Sequence, residues 1–293
     1  MRGQGYKQAA ALLPGDIRAS ALSLPEYVAD RAEEFRLRAG AAPSVLLPDG
    51  ERALLRRAVT PHELATVLET ATRASAHTAL ESVRSGYITV RGGVRLGLAG
   101  QVSESAGHVL TIRQLSSVAV RIPREVRGCA REVYPGLTAG GFESTLIISP
   151  PGGGKTTLLR ELIRLLAEGR RVSLVDERGE VAGVYDGVPE FDVGARCDVM
   201  TGVDKRTGAG MLLRAMNPEI LAMDEITEPA DLDAVRSAAG CGVALLATAH
   251  ARDLEDMSRR SLYRELLALG VFRRVVELEN RAGVRRCRLR ELP

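Results

Sequence analysis

The segment Leu146-Ile147-Ile148-Ser149-Pro150-Pro151-Gly152-Gly153-Gly154-Lys155-Thr156-Thr157 constrains the fold more than any other part of this chain. An apolar run enters a glycine-rich turn, then Lys-Thr-Thr, then a helical pattern from Leu158 to Leu166. Strand, glycine-rich loop and helix N-terminus, in that order, make a phosphate-binding loop. Pro151, Gly152, Gly153, Gly154, Lys155, Thr156 and Thr157 are therefore the expected cradle for a nucleotide. The N–H groups from Gly152 to Thr156 can turn toward a triphosphate, and the helix dipole adds positive potential there. Lys155 would place a point charge on the β- and γ-phosphates, and the Thr156 hydroxyl can ligate Mg²⁺. Ser149 stands where the strict GxxxxGK[ST] pattern has its first glycine. That glycine mainly opens the turn, so the departure is mild.

Lysine usage sharpens the reading. Of 40 lysines and arginines, only Lys7, Lys155 and Lys205 are lysine. A chain that has largely abandoned lysine retains one at the position where phosphate chemistry uses it.

Composition bounds the alternatives. A length of 293 residues leaves room for two domains, and 45% apolar residues can build two cores. A net charge of +3 does not by itself imply nucleic acid. Cys129, Cys197, Cys241 and Cys287 are far apart and lack zinc or CxxC spacing. They read as reduced thiols of a cytoplasmic protein. No signal peptide and no apolar run near ~18 residues is seen, so no integral membrane segment is expected. Peripheral docking on a membrane protein stays open.

The hydropathy pattern changes along the chain. Residues 1–20 are weakly patterned and read as a loose arm or short helix. Thr60-Pro61 starts a helix running to about Ala74, and a second helix is expected over 77–85. Strands are expected over 35–38, 44–47, 87–90, 94–102 and 108–113, which makes residues 1–132 a small α+β domain. Residues 133–143, with Pro135, Gly136, Gly140 and Gly141, read as a linker. From 144 to 293 strands (145–148, 172–175, 220–223, 243–247) alternate with helices (155–167, about 208–216, 229–239). That alternation predicts a mainly parallel sheet, covered by helices, of the α/β class. Two closing segments, 272–278 and 284–289, read as a hairpin.

Three strand ends carry chemistry. Ile220-Leu221-Ala222-Met223-Asp224-Glu225 is a Walker B pattern: a buried strand ending in two acids, at the edge where such sheets bind ligands. Asp224 is expected to orient Mg²⁺ and Glu225 to polarise the attacking water. Val175-Asp176-Glu177-Arg178-Gly179-Glu180 ends another strand in acids, and Glu177 and Glu180 are candidates near the γ-phosphate water. Ala247-Thr248-Ala249-His250 ends a third, placing His250 to sense phosphate by hydrogen bonding.

Together these motifs resemble the stage III sporulation protein AA family, RecA-like ATPases related to the type II and type IV secretion ATPases. The resemblance rests on SPPGGGKTTLLRELIR, VDERGEVAGVYDGVPEFDVGARCDVM, LLRAMNPEILAMDEI and LLATAH. In the N-terminal half it rests on EEFRLRAG, SGYITVRGGVRLGLAGQV and VAVRIPREVRGCA. It implies a RecA-like P-loop core using ATP and Mg²⁺, with Glu177 and Glu180 in an acidic box and His250 in a histidine box. It also implies a hexameric ring, and arginines of the N-terminal domain that reach the phosphates. Arg121 is the first candidate for that role and Arg124 the second. Arg214 matches an arginine of the secretion-ATPase pattern. An arginine finger is worth ~10³–10⁵-fold in turnover. The implied partners are membrane channel proteins of the sporulation apparatus, reached from the mother-cell side. One departure stands out. Secretion ATPases continue Walker B as Gly-Glu-Ile-Arg-Asp, whereas this chain reads Asp224-Glu225-Ile226-Thr227-Glu228, without the arginine.

The rival reading is a nucleic-acid-stimulated RecA-like motor or switch. Nucleic acid is the weaker expectation, because aromatic residues are only 3% and no stacking platform stands out.

Overall fold

The computed structural model describes residues 2–72, 86–105, 108–281 and 284–292. The helix expected over 77–85 lies outside the described residues. The chain divides into two compact units, one of residues 1–125 with 183–190 and one of 126–182 with 191–293.

The first unit begins with helices α1 (Arg2–Ala11), α2 (Gly15–Leu22) and α3 (Glu26–Ala29). Of the two readings of residues 1–20, a loose arm or a short helix, the helical one holds. Leu13 and Ile17 are fully buried and the Tyr6 hydroxyl donates to the Ala21 carbonyl. The local pattern is too weak to choose between the two, and tertiary burial stabilises the helix. Strands β1 (Glu34–Arg38), β2 (Ser44–Leu47), β3 (Gly50–Ala53), β4 (Tyr87–Val90), β5 (Val94–Ser105) and β6 (His108–Arg121) form an antiparallel sheet ordered β3-β2-β1-β6-β5-β4. Helix α4 (Pro61–Thr72) buries Leu64, Val67 and Ala71. Its start is a reciprocal capping box. The Glu63 amide donates to the Thr60 hydroxyl at 3.2 Å, and the Thr60 amide donates to the Glu63 carboxylate at 2.8 Å.

The second unit is built on strands β7 (Thr145–Ser149), β8 (Val172–Asp176), β9 (Cys197–Thr201), β10 (Ile220–Met223), β11 (Ala244–His250), β12 (Arg274–Arg281) and β13 (Val284–Glu291). Their order is β13-β12-β7-β11-β10-β8-β9. All pairs are parallel except β12 with β13. Every residue of β7, β8 and β10 is buried, which is why these strands read as continuous apolar runs rather than as alternation. Helices α5 (Tyr134–Thr138), α6 (Lys155–Leu166), α7 (Lys205–Ala215), α8 (Asp231–Gly240), α9 (Leu254–Arg259) and α10 (Ser261–Ala268) complete the unit.

The stretch expected as linker belongs to this second unit, and the division falls between Glu125 and Val126. The Gly128 amide donates to the Glu161 carboxylate at 2.7 Å, and Arg127 pairs with Asp192 at 2.9 Å. Leu137 in α5 is fully buried, and Arg274 donates to its carbonyl at 2.9 Å. The stretch is thus a short packed helix followed by a glycine turn, with Arg274 taking up backbone carbonyls of the helix.

Candidate active site

Register places the chemistry along one sheet edge. In the parallel ladders Ser149 lies opposite His250, Met223 opposite Ala247 and also Val175, and Asp176 opposite Thr201. The residues that follow these positions leave the C-terminal edge of the sheet together, the edge where open α/β sheets hold ligands.

The phosphate-binding loop joins β7 to α6. Gly154 is the residue before the helix, with φ 96° and ψ 23°, a left-handed conformation that glycine adopts without strain. It carries no side chain to cap the helix. The first-turn amides of α6, which by helix geometry lack intrahelical acceptors, therefore face an anion without a competing side chain. Gly153 is required for a different reason. A β-carbon there would lie 1.7 Å from the Ser149 Oγ. Ser149 is fully buried, and its hydroxyl donates to the Pro150 carbonyl at 2.8 Å. The serine at the nonstandard first position thus occupies the space beside Gly153.

Lys155, Glu225 and His250 meet. Lys155 Nζ lies 2.6 Å from His250 Nδ1 and donates to the Ser149 carbonyl at 3.3 Å, and His250 Nε2 lies 2.7 Å from Glu225 Oε1. An ammonium has only donors, so Nδ1 accepts from Lys155 and the Nε2–H donates to Glu225. The imidazole in this tautomer links loop lysine and Walker B glutamate. Burial pushes the Lys155 ammonium below the ordinary lysine range, while the charges of Glu225 and Asp224 oppose the shift.

His250 is itself fixed from behind. Its backbone N–H donates to the Tyr263 hydroxyl at 3.2 Å, and that hydroxyl donates to the Ile226 carbonyl at 3.3 Å. Burial pushes the Tyr263 phenol above its usual value, so it stays a neutral donor. Next along the edge, the Thr248 hydroxyl donates to Asp224 Oδ1 at 3.1 Å. Asp224 and the Thr156 and Thr248 hydroxyls are hard oxygen groups, the donor type that Mg²⁺ selects.

The acids after β8 separate. The fully buried Asp176 carboxylate accepts from the amides of Glu180, Val181 and Ala182, so it shapes the loop. Arg160 of α6 donates to the carbonyls of Val181 (2.5 Å) and Glu180 (2.6 Å), with its guanidinium 3.9 Å above the Phe191 ring. Glu180 is held through its backbone. Glu177 is brought to Lys205 rather than to the Lys155–His250–Glu225 chain, with Nζ 2.7 Å from its carboxylate. Burial depresses the Lys205 ammonium, but the Glu177 hydrogen bond and the Asp231 charge outweigh burial and leave its pKa raised.

Arg121 ends β6 in the first unit. Its side chain is 60% exposed and lies 3.4 Å from Glu34. Arg124 donates to the carbonyls of Ala32 and Asp30, so its guanidinium is occupied within the first unit. Arg214 is exposed on α7.

Sequence reasoning placed Asp176 and Thr248 at strand ends of this edge without their roles, and missed Arg160, Tyr263, Asp231 and Lys205 as its shapers. Burial of polar groups marks most of them, and burial is not visible in a single sequence. Lys205 alone left a signal, as one of only three lysines.

The family model described as "Sporulation stage III, protein AA" matches residues 5–288. The chain belongs to the stage III sporulation protein AA family. The stage III sporulation protein AA of Bacillus subtilis (strain 168) is 35% identical over 280 residues, covering 94% of this chain and 91% of that protein. The ATPase DotB of Legionella pneumophila superposes with a TM-score of 0.57 at 18% identity, covering 88% of this chain and 76% of DotB. The pilus retraction motor PilT, solved with bound ADP, superposes with a TM-score of 0.59 at 16% identity, covering 89% and 79%. The fold is that of RecA-like secretion ATPases, with the smaller antiparallel sheet preceding a mostly parallel one. No helix among the described residues is long and apolar enough to cross a membrane.

Proposed function

We propose that this protein binds ATP with Mg²⁺ and hydrolyses it, and that it does so as a motor of the secretion-ATPase type. The observation that carries the reading is the Lys155–His250–Glu225 chain. It joins the phosphate-binding lysine, a strand-end imidazole and the Walker B glutamate through contacts of 2.6 and 2.7 Å.

The residues present fit the ligands. Gly152 to Thr157 form the proposed cradle: the helix start at Lys155 is uncapped and faces the phosphates, the Gly153 amide, expected to point at them, instead donates to the Pro150 carbonyl at 3.1 Å, and Lys155 adds a charge. Thr156 and Asp224 are the proposed Mg²⁺ ligands, and the bound ion would neutralise charge on the phosphates. Glu225 is the proposed base that orients and polarises water for in-line attack. His250 donates its Nε2–H to Glu225, fixing the carboxylate, and its Nδ1 can pass Lys155 to a phosphate oxygen by giving up one hydrogen bond. Glu177 and Glu180 are assigned supporting roles at the same edge, and Arg121 is assigned stabilisation of charge on the transferring phosphoryl group.

We assign the protein further to a homo-oligomeric ring, a hexamer, acting at the cytoplasmic face of the mother-cell membrane on channel proteins of the sporulation apparatus. Family membership and the motor fold support this assignment. Light scattering with and without ATP tests the ring: a nucleotide-dependent hexamer is expected, and a monomer under both conditions contradicts it. Binding of fluorescent ATP by wild type and Lys155→Ala tests the site. Binding is expected only in wild type, and equal binding by the variant would overturn the assignment.

A further inference from the structure

Lys205 opens α7, and its side chain is only 7% exposed. Its ammonium lies 2.7 Å from Glu177, in the loop after β8, and 3.4 Å from Asp231, at the start of α8. Asp231 is itself 2% exposed, and its other oxygen accepts from the amides of Thr227 at 2.8 Å and Glu228 at 3.2 Å. Those two amides belong to the turn that leaves the Walker B strand immediately after Glu225 and Ile226.

One buried cation therefore ties together the loops that follow two adjacent parallel strands, β8 and β10. The local sequence is built for this approach. Asp204 caps α7 by accepting from the Thr207 amide at 2.9 Å, fixing the helix start that carries Lys205. Gly208, one turn on, has no side chain. A β-carbon there would lie 2.9 Å from Val175 Cγ1, so glycine lets α7 sit close on β8. A lysine suits the narrow slot, because an ammonium is a compact charge whereas a guanidinium is a planar fork. The same turn is where the chain reads Thr227 in place of the arginine of the secretion-ATPase pattern.

We propose that Lys205 is a positioning residue for hydrolysis, holding Glu177 and the Thr227–Glu228 turn in fixed relation to Glu225. The inference rests on the hydrolytic reading of the site. It does not make Lys205 a ligand of the nucleotide.

The test compares turnover per nucleotide-binding site in wild type, Lys205→Met, Glu177→Gln and the double variant, with sites counted by fluorescent ADP binding. Lys205→Met is expected to lower kcat about 10–100-fold, the range for supporting-shell changes, with KM for ATP unchanged. Adding Glu177→Gln should cost little more, because the two act as one unit. Should Lys205→Met fail to fold, Lys205→Met with Asp231→Asn removes the orphaned buried charge and keeps an acceptor for the two amides. The expected loss of kcat is the same. If wild type turns over and these variants retain its rate per binding site, Lys205 is merely structural and the proposal is overturned while the ATPase reading stands. If wild type binds ATP without turnover, the ATPase reading fails and takes this inference with it.

Discussion

Lys155 Nζ lies 2.6 Å from His250 Nδ1, so the loop lysine and the strand-end histidine share a hydrogen bond across adjacent strands. Because His250 also holds Glu225 through Nε2, removing the ring should affect the base more than the phosphates. His250→Ala is expected to lower kcat about 10–100-fold, the effect typical of losing a residue that orients a reacting group. Nucleotide affinity should change little. Paired measurements of ATP affinity and phosphate release check this, and a loss confined to affinity would argue against the link.

Lys155 also gives the site a pH dependence. Burial depresses its folded pKa below the ordinary value of 10.5. In the interval beneath 10.5 the unfolded chain holds more protons at this position than the folded one, so this group's contribution to stability rises with pH there. Its charge is lost over the same interval. ATP affinity should therefore fall as pH rises toward 10.5, starting earlier than an ordinary lysine would allow. Lys155→Arg, which stays charged, should flatten that limb. Titrating fluorescent ATP at a series of alkaline pH values in both proteins checks the sign.

The serine in the loop predicts a coupled pair. Gly153→Ala would drive a β-carbon to 1.7 Å from Ser149 Oγ. Overpacking of this kind costs typically about 1–3 kcal/mol, and here it would also distort the phosphate cradle. Ser149→Gly removes the obstructing atom. The double variant should recover much of the melting temperature and ATP affinity that Gly153→Ala loses. Equal damage in the single and double variants would mean that the glycine is needed for another reason.

Arg121 offers a test that separates stability from chemistry. Its side chain is 60% exposed and its buried partner Glu34 keeps Arg36 as a second partner, so Arg121→Ala should lower the melting temperature only slightly. If it stabilises developing charge, kcat should fall by about 10³-fold or more. Thermal melts and phosphate release on the same samples decide the matter.

Much of this edge was legible in the sequence because each strand ends in an unusual residue. Asp224, Glu225 and His250 could be placed from an apolar run and the polar group that closes it, and Lys155 from the glycines before it. The contact that joins Lys155 to His250 was not legible. It depends on β11 pairing with β7 in a register that sets His250 opposite Ser149, and register between distant strands leaves no local trace. The edge strand β9 escaped for a related reason. In β9 no residue is fully buried, so Cys197–Thr201 carries no clear apolar run. Residues 133–143 misled in the opposite sense. Their prolines and glycines look like a hinge, yet Leu137 is fully buried and Arg274 holds its carbonyl.

Glu225 carries the central claim, and one measurement tests it most directly. Phosphate release from Mg²⁺–ATP is followed for wild type and Glu225→Gln at matched, saturating nucleotide, with bound ATP measured in the same samples. The account predicts that wild type turns over only with Mg²⁺. It predicts that Glu225→Gln binds ATP equally well but releases phosphate at least about 100-fold more slowly, the range for loss of a general base. Equal rates in the two proteins, or no Mg²⁺-dependent release by wild type, would contradict it.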